Sequence, residues 1–241
     1  MNLLLEQFEL LTRAPENVAK LKGLILQLAV RGKLVEQDPA DEPASELLKR
    51  IQAEKARLIA EGKIKKEKPL PPIAEDEIPY ALPEGWVWCR LGEICHVITD
   101  GTHHTPTYTN SGIPFLSVKN VSKGYLSFSD TRFISLEEHE LLIKRCHPEY
   151  EDILLTKVGT TGIAKMIDTK QRFSIFVSLA LLKFNKTMIY PFFLENVLNS
   201  PIVKKQSDEG TEGVGNKNLV LRKIKAFMVP FSPFNEQKRQ P

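Results

Sequence analysis

DILLTKVGTTGIAKMID, residues 152–168, is the stretch whose reading decides the fold class. Two short apolar runs, DILLTKVG and GIAKMID, share a Gly- and Thr-rich turn that carries Lys157. Runs this short, bounded by Gly and Asp, suit strands better than helices, which need ten or more residues. The same texture recurs on both sides. GIPFLSVKNV (112–121) and FVSLALLKF (176–184) read as strands. SLEEHELLIKRC (135–146) reads as a helix, with Ser135 as N-cap and Glu138 as its capping-box partner. WVWCRLGEICHVI (86–98) reads as a strand leading into a helical turn. PFFLENVLNSPIVKKQSDEG (191–210) reads as one or two helices, and LRKIKAFMVPFSP (221–233) as a helical turn and a strand stopped by prolines. The expected domain is α/β (mixed α+β), a twisted sheet with flanking helices, over residues 83–241.

Before it lies a different composition. Pro69, Pro71, Pro72, Pro79 and Pro83 interrupt residues 62–85, and proline blocks helix interiors and central strands. A linker at 66–82 follows from this. Residues 1–65 read as a helical arm. Val18, Leu21, Ile25 and Leu28 alternate spacings of three and four, and Gly32 offers a stop. Leu47, Ile51 and Leu58 hold the same phase in a second helix that can begin at Pro43 and end at Gly62, with Glu54 breaking it once. Seams of this coiled-coil kind seek a partner helix in cis or in trans; a small hairpin packing element is the plainer reading. With a proline-rich linker between the two parts, Ile51→Asp is expected to disrupt a pairing of arms and leave the following domain folded.

The bulk numbers permit nucleic-acid binding without requiring it: the formal net charge is +3 and 42% of the 241 residues are hydrophobic. Cys89, Cys95 and Cys146 form no CxxC pair, so neither a disulfide framework nor a zinc ribbon is expected, and a reducing cytoplasm fits. No long apolar run predicts a membrane span. The N-terminus lacks the basic region and cleavage site of a signal peptide.

Three loops could carry chemistry. DGTHHTPTY (100–108) is polar and stiffened by Pro106. Its two adjacent histidines could hold a metal, but neighbours in sequence rarely face one ion and no ligand set completes them. The same residues suit a base-reading loop, or simply a surface loop. Residues 156–162 allow a backbone to approach phosphate, or form an ordinary turn. Residues 210–218 imitate a phosphate-binding loop, but Asn216 intervenes before Lys217 and Asn218 replaces the hydroxyl that would meet magnesium. Pro148-Glu149 with Asp168-Thr169-Lys170 loosely imitates a metal-dependent nuclease. No methyltransferase tetrapeptide and no GxSxG elbow is present.

Residues 21–61 and the runs LPEGWVWCRLGEI (82–94), DGTHHTPTY, GIPFLSVKNV, DILLTKVGTTG (152–162) and VPFSPFNEQKR (229–239) together resemble the specificity subunits of type I restriction–modification systems. Glu151 stands where that family often has glycine before Asp-Ile-Leu, and Ser232, Phe234 and Asn235 depart from its closing motif. The usual member has two recognition domains; this chain has one, preceded by helices. It reads as a fragment, or as a half-sized subunit that pairs with a copy of itself through the arm.

The resemblance implies a non-catalytic chain that reads one half of a split double-stranded DNA target. Its helices would space the domains and dock methyltransferase subunits, and a motor–nuclease restriction subunit would join for cleavage. S-adenosylmethionine, ATP and magnesium would belong to those partners, and no cofactor or metal to this chain. The implied DNA contacts are Thr102, His103, His104, Thr105 and Tyr108; Lys119 and Asn120; Lys157, Thr160 and Thr161; and Asn216, Lys217 and Asn218. The helix interface would use Val18, Leu21, Ile25, Leu28, Leu47, Ile51 and Leu58. A self-sufficient nuclease or methyltransferase, and a helical assembly adaptor, are the competing classes.

Overall fold

Glycine ends both N-terminal helices by the same device. The computed structural model describes residues 15–213 and 217–240. Helix α1 spans Pro15–Ala29 and α2 spans Ala44–Ala60. After α1, Gly32 turns to φ +63°, its N–H donates to Ala29 O at 2.9 Å, and Lys33 N–H donates to Leu28 O at 3.0 Å. After α2, Gly62 at φ +70° donates to Ile59 O at 3.0 Å, and Lys63 donates to Leu58 O at 2.9 Å. Each pair of bonds satisfies carbonyls that the helix end would leave bare, in a left-handed conformation that only glycine adopts cheaply.

The apolar seam of α2 does not wait for a partner. Ala44, Leu47 and Ile51 are buried in one cluster with Trp86, Leu91 and Phe231 of the following domain. Leu58, at the far end of the seam, is half-buried. Polar bonds fix the same contact. Ala44 N–H donates to Gly85 O at 2.7 Å, and Lys55 Nζ donates to the carbonyls of Gly92 (2.5 Å) and Cys95 (2.9 Å). Glu54, which breaks the heptad, accepts a 2.5 Å bond from Asn185 Nδ2. The expectation of an arm separable from the domain is therefore corrected at Leu47 and Ile51. Periodicity reports that one face is apolar, not what covers it, and here the chain's own domain covers it. On α1, Val18, Leu21 and Leu28 are half-buried, while Ile25 stays 40% exposed.

Nor is the proline-rich segment a free tether. The buried Arg90 guanidinium donates to Pro71 O and Pro72 O, both at 3.2 Å, to Glu77 Oε2 at 2.7 Å and to Ala226 O at 3.1 Å. Tyr80 OH donates to Val30 O at 3.0 Å.

The domain is mixed α/β, as expected, but its strands divide among three sheets rather than one. Strand β1 (Val87–Arg90) runs into the short helix α3 (Leu91–Ile94). It pairs antiparallel with a late strand, Met228–Phe231, placing Val87 opposite Phe231. The central sheet is antiparallel. It joins β2 (Val97–Asp100) to Leu179–Lys183, then to Ile153–Thr156 and Ala164–Met166. Ile153 and Leu155 enter the large cluster that holds α2, while Leu154 enters a second cluster with Leu116, Ile175 and Leu181. Successive side chains of a strand point to opposite faces, so a continuous apolar run marks a sheet covered on both sides. The third sheet orders β3 (Tyr108–Thr109), Arg132–Ile134, β4 (Ile113–Leu116) and Ser174–Ile175, the last pair parallel. In chain order these remaining strands are β5 (Arg132–Ile134), β6 (Ile153–Thr156), β7 (Ala164–Met166), β8 (Ser174–Ile175), β9 (Leu179–Lys183) and β10 (Met228–Phe231).

Helix α4 (Leu136–Leu142) is N-capped by Ser135 as its sequence predicts, with Ser135 Oγ accepting from Glu138 N–H at 3.1 Å, but the reciprocal capping-box bond is not made. Residues 191–210 form two helices, α5 (Pro191–Leu198) and α6 (Pro201–Gly210), each opened by proline. Helix α7 (Leu221–Ala226) precedes β10, and α8 (Phe234–Arg239) closes the domain against the N-terminal part. There Glu236 accepts from Trp86 Nε1 at 2.8 Å and from Gln37 Nε2 at 3.1 Å. Among the described residues, no helix is long and apolar enough to cross a membrane.

Truncating the α2 seam should therefore destabilise the whole domain. Ile51→Ala is expected to cost about 2–4 kcal/mol in urea unfolding, as for other buried aliphatic truncations. Ile25→Ala on the exposed face of α1 should cost well under about 1 kcal/mol. Equal midpoints for the two variants would show that α2 is not part of the domain core.

Candidate nucleic-acid interface

Asp100, the last residue of β2, is 3% exposed and gathers an arginine, a lysine and a histidine. Arg145 Nη2 donates to Oδ1 at 2.6 Å, His103 Nε2 lies 3.1 Å from the same oxygen, and Lys157 Nζ lies 3.3 Å from Oδ2. Burial pushes the Asp100 carboxyl up. The hydrogen bonds from His103 and Arg145 and the charge of Lys157 more than reverse this and hold it below its ordinary 3.8. The loop that follows is fixed along its backbone as well. Arg145 Nη1 donates to Gly101 O at 2.9 Å, Thr102 N–H to Ile175 O at 3.1 Å, and Val177 N–H to Thr102 O at 3.0 Å. Gly101 has no room for a side chain, since a Cβ there would lie 2.0 Å from Ile175 O.

Both histidines of this loop are exposed and turn to different partners. His103 faces Asp100. His104 Nδ1 lies 2.8 Å from Thr102 Oγ1, and its Nε2 lies 3.4 Å from Glu138 Oε1. Thr102 is itself buried and positions His104. Glu138 thus spends its side chain on the loop rather than on the capping box. Thr105 is exposed.

Further along, Tyr108 opens a groove of about 420 Å³ lined with Phe115, Lys119, Arg132, Val158 and Phe176. The Arg132 guanidinium carbon stands 4.5 Å from the centre of the Tyr108 ring, a cation–π contact that leaves the tyrosine 36% exposed. Lys119 pairs with Asp130 at 2.9 Å in the open, a bond weak enough to exchange for another anion. Asn120, by contrast, is buried and holds its own turn: its Oδ1 accepts from Ser117 N–H at 2.9 Å and its Nδ2 donates to Ser127 O at 3.0 Å.

Of the glycine-bearing loops, the first lines the same groove at Val158 and Gly159, and the second is hydrogen-bonded to the first. Gly159 N–H donates to Lys217 O at 2.9 Å and Leu219 N–H to Lys157 O at 2.7 Å, while Glu212 and Asn218 exchange backbone bonds of 2.9 and 2.8 Å. Gly159 sits at φ +82°, which lets the turn reach its partner. Thr160 and Lys217 are exposed. Lys157 is buried on Asp100, and buried Thr161 bonds Thr211 Oγ1 at 3.1 Å. Asn218 is half-buried, and Asn216 lies outside the described residues. The three nominated loops and Lys119 thus share one neighbourhood. Their surface is carried by His103, His104, Thr105, Tyr108, Lys119, Thr160 and Lys217. Thr102, Asn120, Lys157 and Thr161 brace it from beneath.

Three residues of the site were not nominated from sequence. Asp100 is an acid, the wrong sign for a phosphate contact, so its role as a clasp has no composition signal. Arg132 and Arg145 are lone arginines 24 residues or more from any nominated loop that precedes them, and only the fold brings them to Tyr108 and Asp100.

The family model described as the type I restriction modification DNA specificity domain matches residues 83–240. The chain is 36% identical to the type I restriction enzyme EcoAI specificity subunit of Escherichia coli, over 97% of this chain and 40% of that protein. It is 40% identical to the EcoEI specificity subunit of the same organism, over 75% of this chain and 31% of that protein. It therefore spans less than half the length of either relative. Among solved structures, the HsdS subunit from Thermoanaerobacter tengcongensis aligns with a TM-score of 0.50 at 19% identity, covering 92% of this chain and 47% of that one. A chain from work on complex assembly and conformational transition of a type I R-M system aligns at 0.51 and 20%, covering 92% and 48%. At these identities the likeness is one of fold.

Asp100→Asn should expose what the clasp is worth. It leaves Lys157 buried without a counter-charge, and about 3 kcal/mol of stability should be lost near neutral pH. A depressed carboxylate stabilises fully above its unfolded value of 3.8 and loses that contribution as pH falls through the lower folded value. The stabilities of parent and variant should accordingly converge on acidification below pH 3.8. A gap that stays constant in thermal melts from neutral to acid pH would rule out the charge as its source.

Proposed function

Because this chain belongs to the type I restriction–modification DNA specificity family, we propose that it reads one half of a split duplex target and performs no catalysis itself. The observation that carries this reading is the convergence of Tyr108, Arg132 and Lys119 with the 158–159 segment around one groove, the Lys217 backbone being bonded to Gly159 behind it. Exposed lysines and arginine supply phosphate contacts, which set register and affinity. Histidine, threonine and tyrosine supply donors, acceptors and an aromatic face for base edges. Asp100 and the buried residues beneath keep these groups in one arrangement, which sequence discrimination requires.

The rest of the assembly follows from the family. Methyltransferase subunits, carrying S-adenosylmethionine, would dock on the helical part, and a restriction subunit using ATP and magnesium would join for cleavage, in the cytoplasm. A target read in two halves needs two recognition domains, and a two-fold pair of these chains would present them as an inverted repeat. Leu24 and Ile25, 51% and 40% exposed on α1, supply apolar surface for such a pairing. Light scattering should show a dimer at tens of micromolar that Ile25→Asp converts to monomer; a monomeric parent chain would dismiss the pairing.

The reading function is tested with duplexes selected from a random pool by the chain together with methyltransferase subunits. Tyr108→Ala should weaken binding to the selected half-site by about 1–3 kcal/mol and random duplex far less. Lys217→Ala should weaken both alike and reduce the salt slope by about one. The chain alone, given S-adenosylmethionine and magnesium, should neither methylate nor cut. Equal loss on all duplexes from Tyr108→Ala would mean that the groove does not read bases.

A further inference from the structure

Lys119 and Arg132 both line the reading groove, and they are held in opposite ways. Lys119 pairs with Asp130 in the open, at the end of a flexible stem. Arg132 is also exposed, but its side chain enters no ion pair and no hydrogen bond among the described residues. It stands instead over the Tyr108 ring, 4.5 Å from the centre. That contact engages the charge and leaves the N–H donors of the guanidinium without an acceptor.

The backbone that carries Arg132 is fixed. Strand β5 is an inner strand of the third sheet, with β3 on one side and β4 on the other. Arg132 lies directly opposite Phe115 of β4, and Thr131 Oγ1 donates to Phe115 O at 3.0 Å. Residues opposite each other across a ladder share a face of the sheet. Tyr108, Phe115 and Phe176 form a row along the groove, with successive ring centres 6.0 and 6.1 Å apart. The guanidinium therefore sits at the Tyr108 end of an aromatic floor, on a strand paired on both sides. A phosphate contact needs only a charge within reach, whereas telling bases apart needs donors held in one place.

We propose that Arg132 reads a guanine of the half-site, besides what its charge contributes at the backbone. The inference rests on the DNA-reading function above. Among the four bases, guanine alone presents two neighbouring acceptors, O6 and N7, on its major-groove edge. A guanidinium offers parallel N–H groups and no acceptor, and so matches that edge with two bonds. Adenine sets an N6 donor beside its N7, and cytosine presents an N4 donor, so either leaves donor facing donor. Thymine offers one acceptor, O4, beside a methyl group. The preference comes from the fork of the guanidinium and not from its charge.

The test uses the selected half-site with methyltransferase subunits present. Each guanine in turn is replaced by 7-deazaguanine, which lacks N7 and keeps its pairing with cytosine. At one position the parent chain should lose about tenfold or more in affinity, within the range of a bidentate base contact. Hypoxanthine at that position keeps O6 and N7 and should cost far less. Arg132→Lys keeps a charge over Tyr108 but has no fork. It should bind the guanine and 7-deazaguanine duplexes nearly alike while retaining the salt slope. Arg132→Ala should also fail to distinguish them, and should lower the slope by about one. The base replacements are measured on the parent chain, so they do not depend on how the variants fold. A half-site in which no guanine is sensitive to the replacement overturns this proposal alone. Parent-like discrimination by Arg132→Lys does so too, since charge would then account for the residue. A parent chain that selects no half-site overturns the reading function and this proposal together.

Discussion

A carboxylate at 3% exposure, Asp100, sets the terms for the surface above it. A buried charge is tolerated only when paired and hydrogen-bonded, and this one is met by Arg145, His103 and Lys157. Each partner comes from a different place: the turn after α4, the loop after β2 and the end of β6. One acid therefore ties three segments at a point, and the loops that carry His104, Tyr108 and Thr160 leave from it. The acid also explains why Lys157 can be buried beside a glycine turn that would otherwise call for solvent or phosphate.

The second constraint is the closing of the chain on itself. Arg90 gathers the carbonyls of Pro71, Pro72 and Ala226, so a segment without regular ladder bonds finds its partners in one guanidinium. Trp86 and Gln37 meet at Glu236, which joins the loop between the first two helices to the last helix. With Leu47 and Ile51 in the domain core, the orientation of α2 relative to the sheets is set by packing and by these polar bonds together. The position of α2 relative to the groove is thereby fixed.

Division of labour between buried and exposed polar residues runs through the whole site. Thr102, Asn120 and Thr161 spend their hydrogen bonds on protein partners, while Thr105, Thr160 and Lys217 remain at the surface. Residue type does not separate the two groups, since threonine, asparagine and lysine each suit either role. Burial separates them, because a polar group taken from water must find its partner within the protein.

Local pattern by itself determined the strands around residues 153 and 164, the capped helix at Ser135, the glycine stops at Gly32 and Gly62, and the family. Each depends on neighbours a few residues away, or on the order of short motifs along the chain. Motif order also drew attention to three loops, of which Tyr108 of the first and Val158 and Gly159 of the second line one groove. What only the tertiary structure decided is which side chains face out and what covers each apolar face. The α2 seam looked like a search for another helix, because heptad spacing is the same whether the cover is a helix or a sheet domain. Three sheets stood where one was expected, because strand pairing is a non-local choice that a two-residue period does not encode. Asp100, Arg132 and Arg145 entered the site only through long-range pairing, since electrostatic partnership depends on distance in space and leaves no mark in the spacing of residues along the chain.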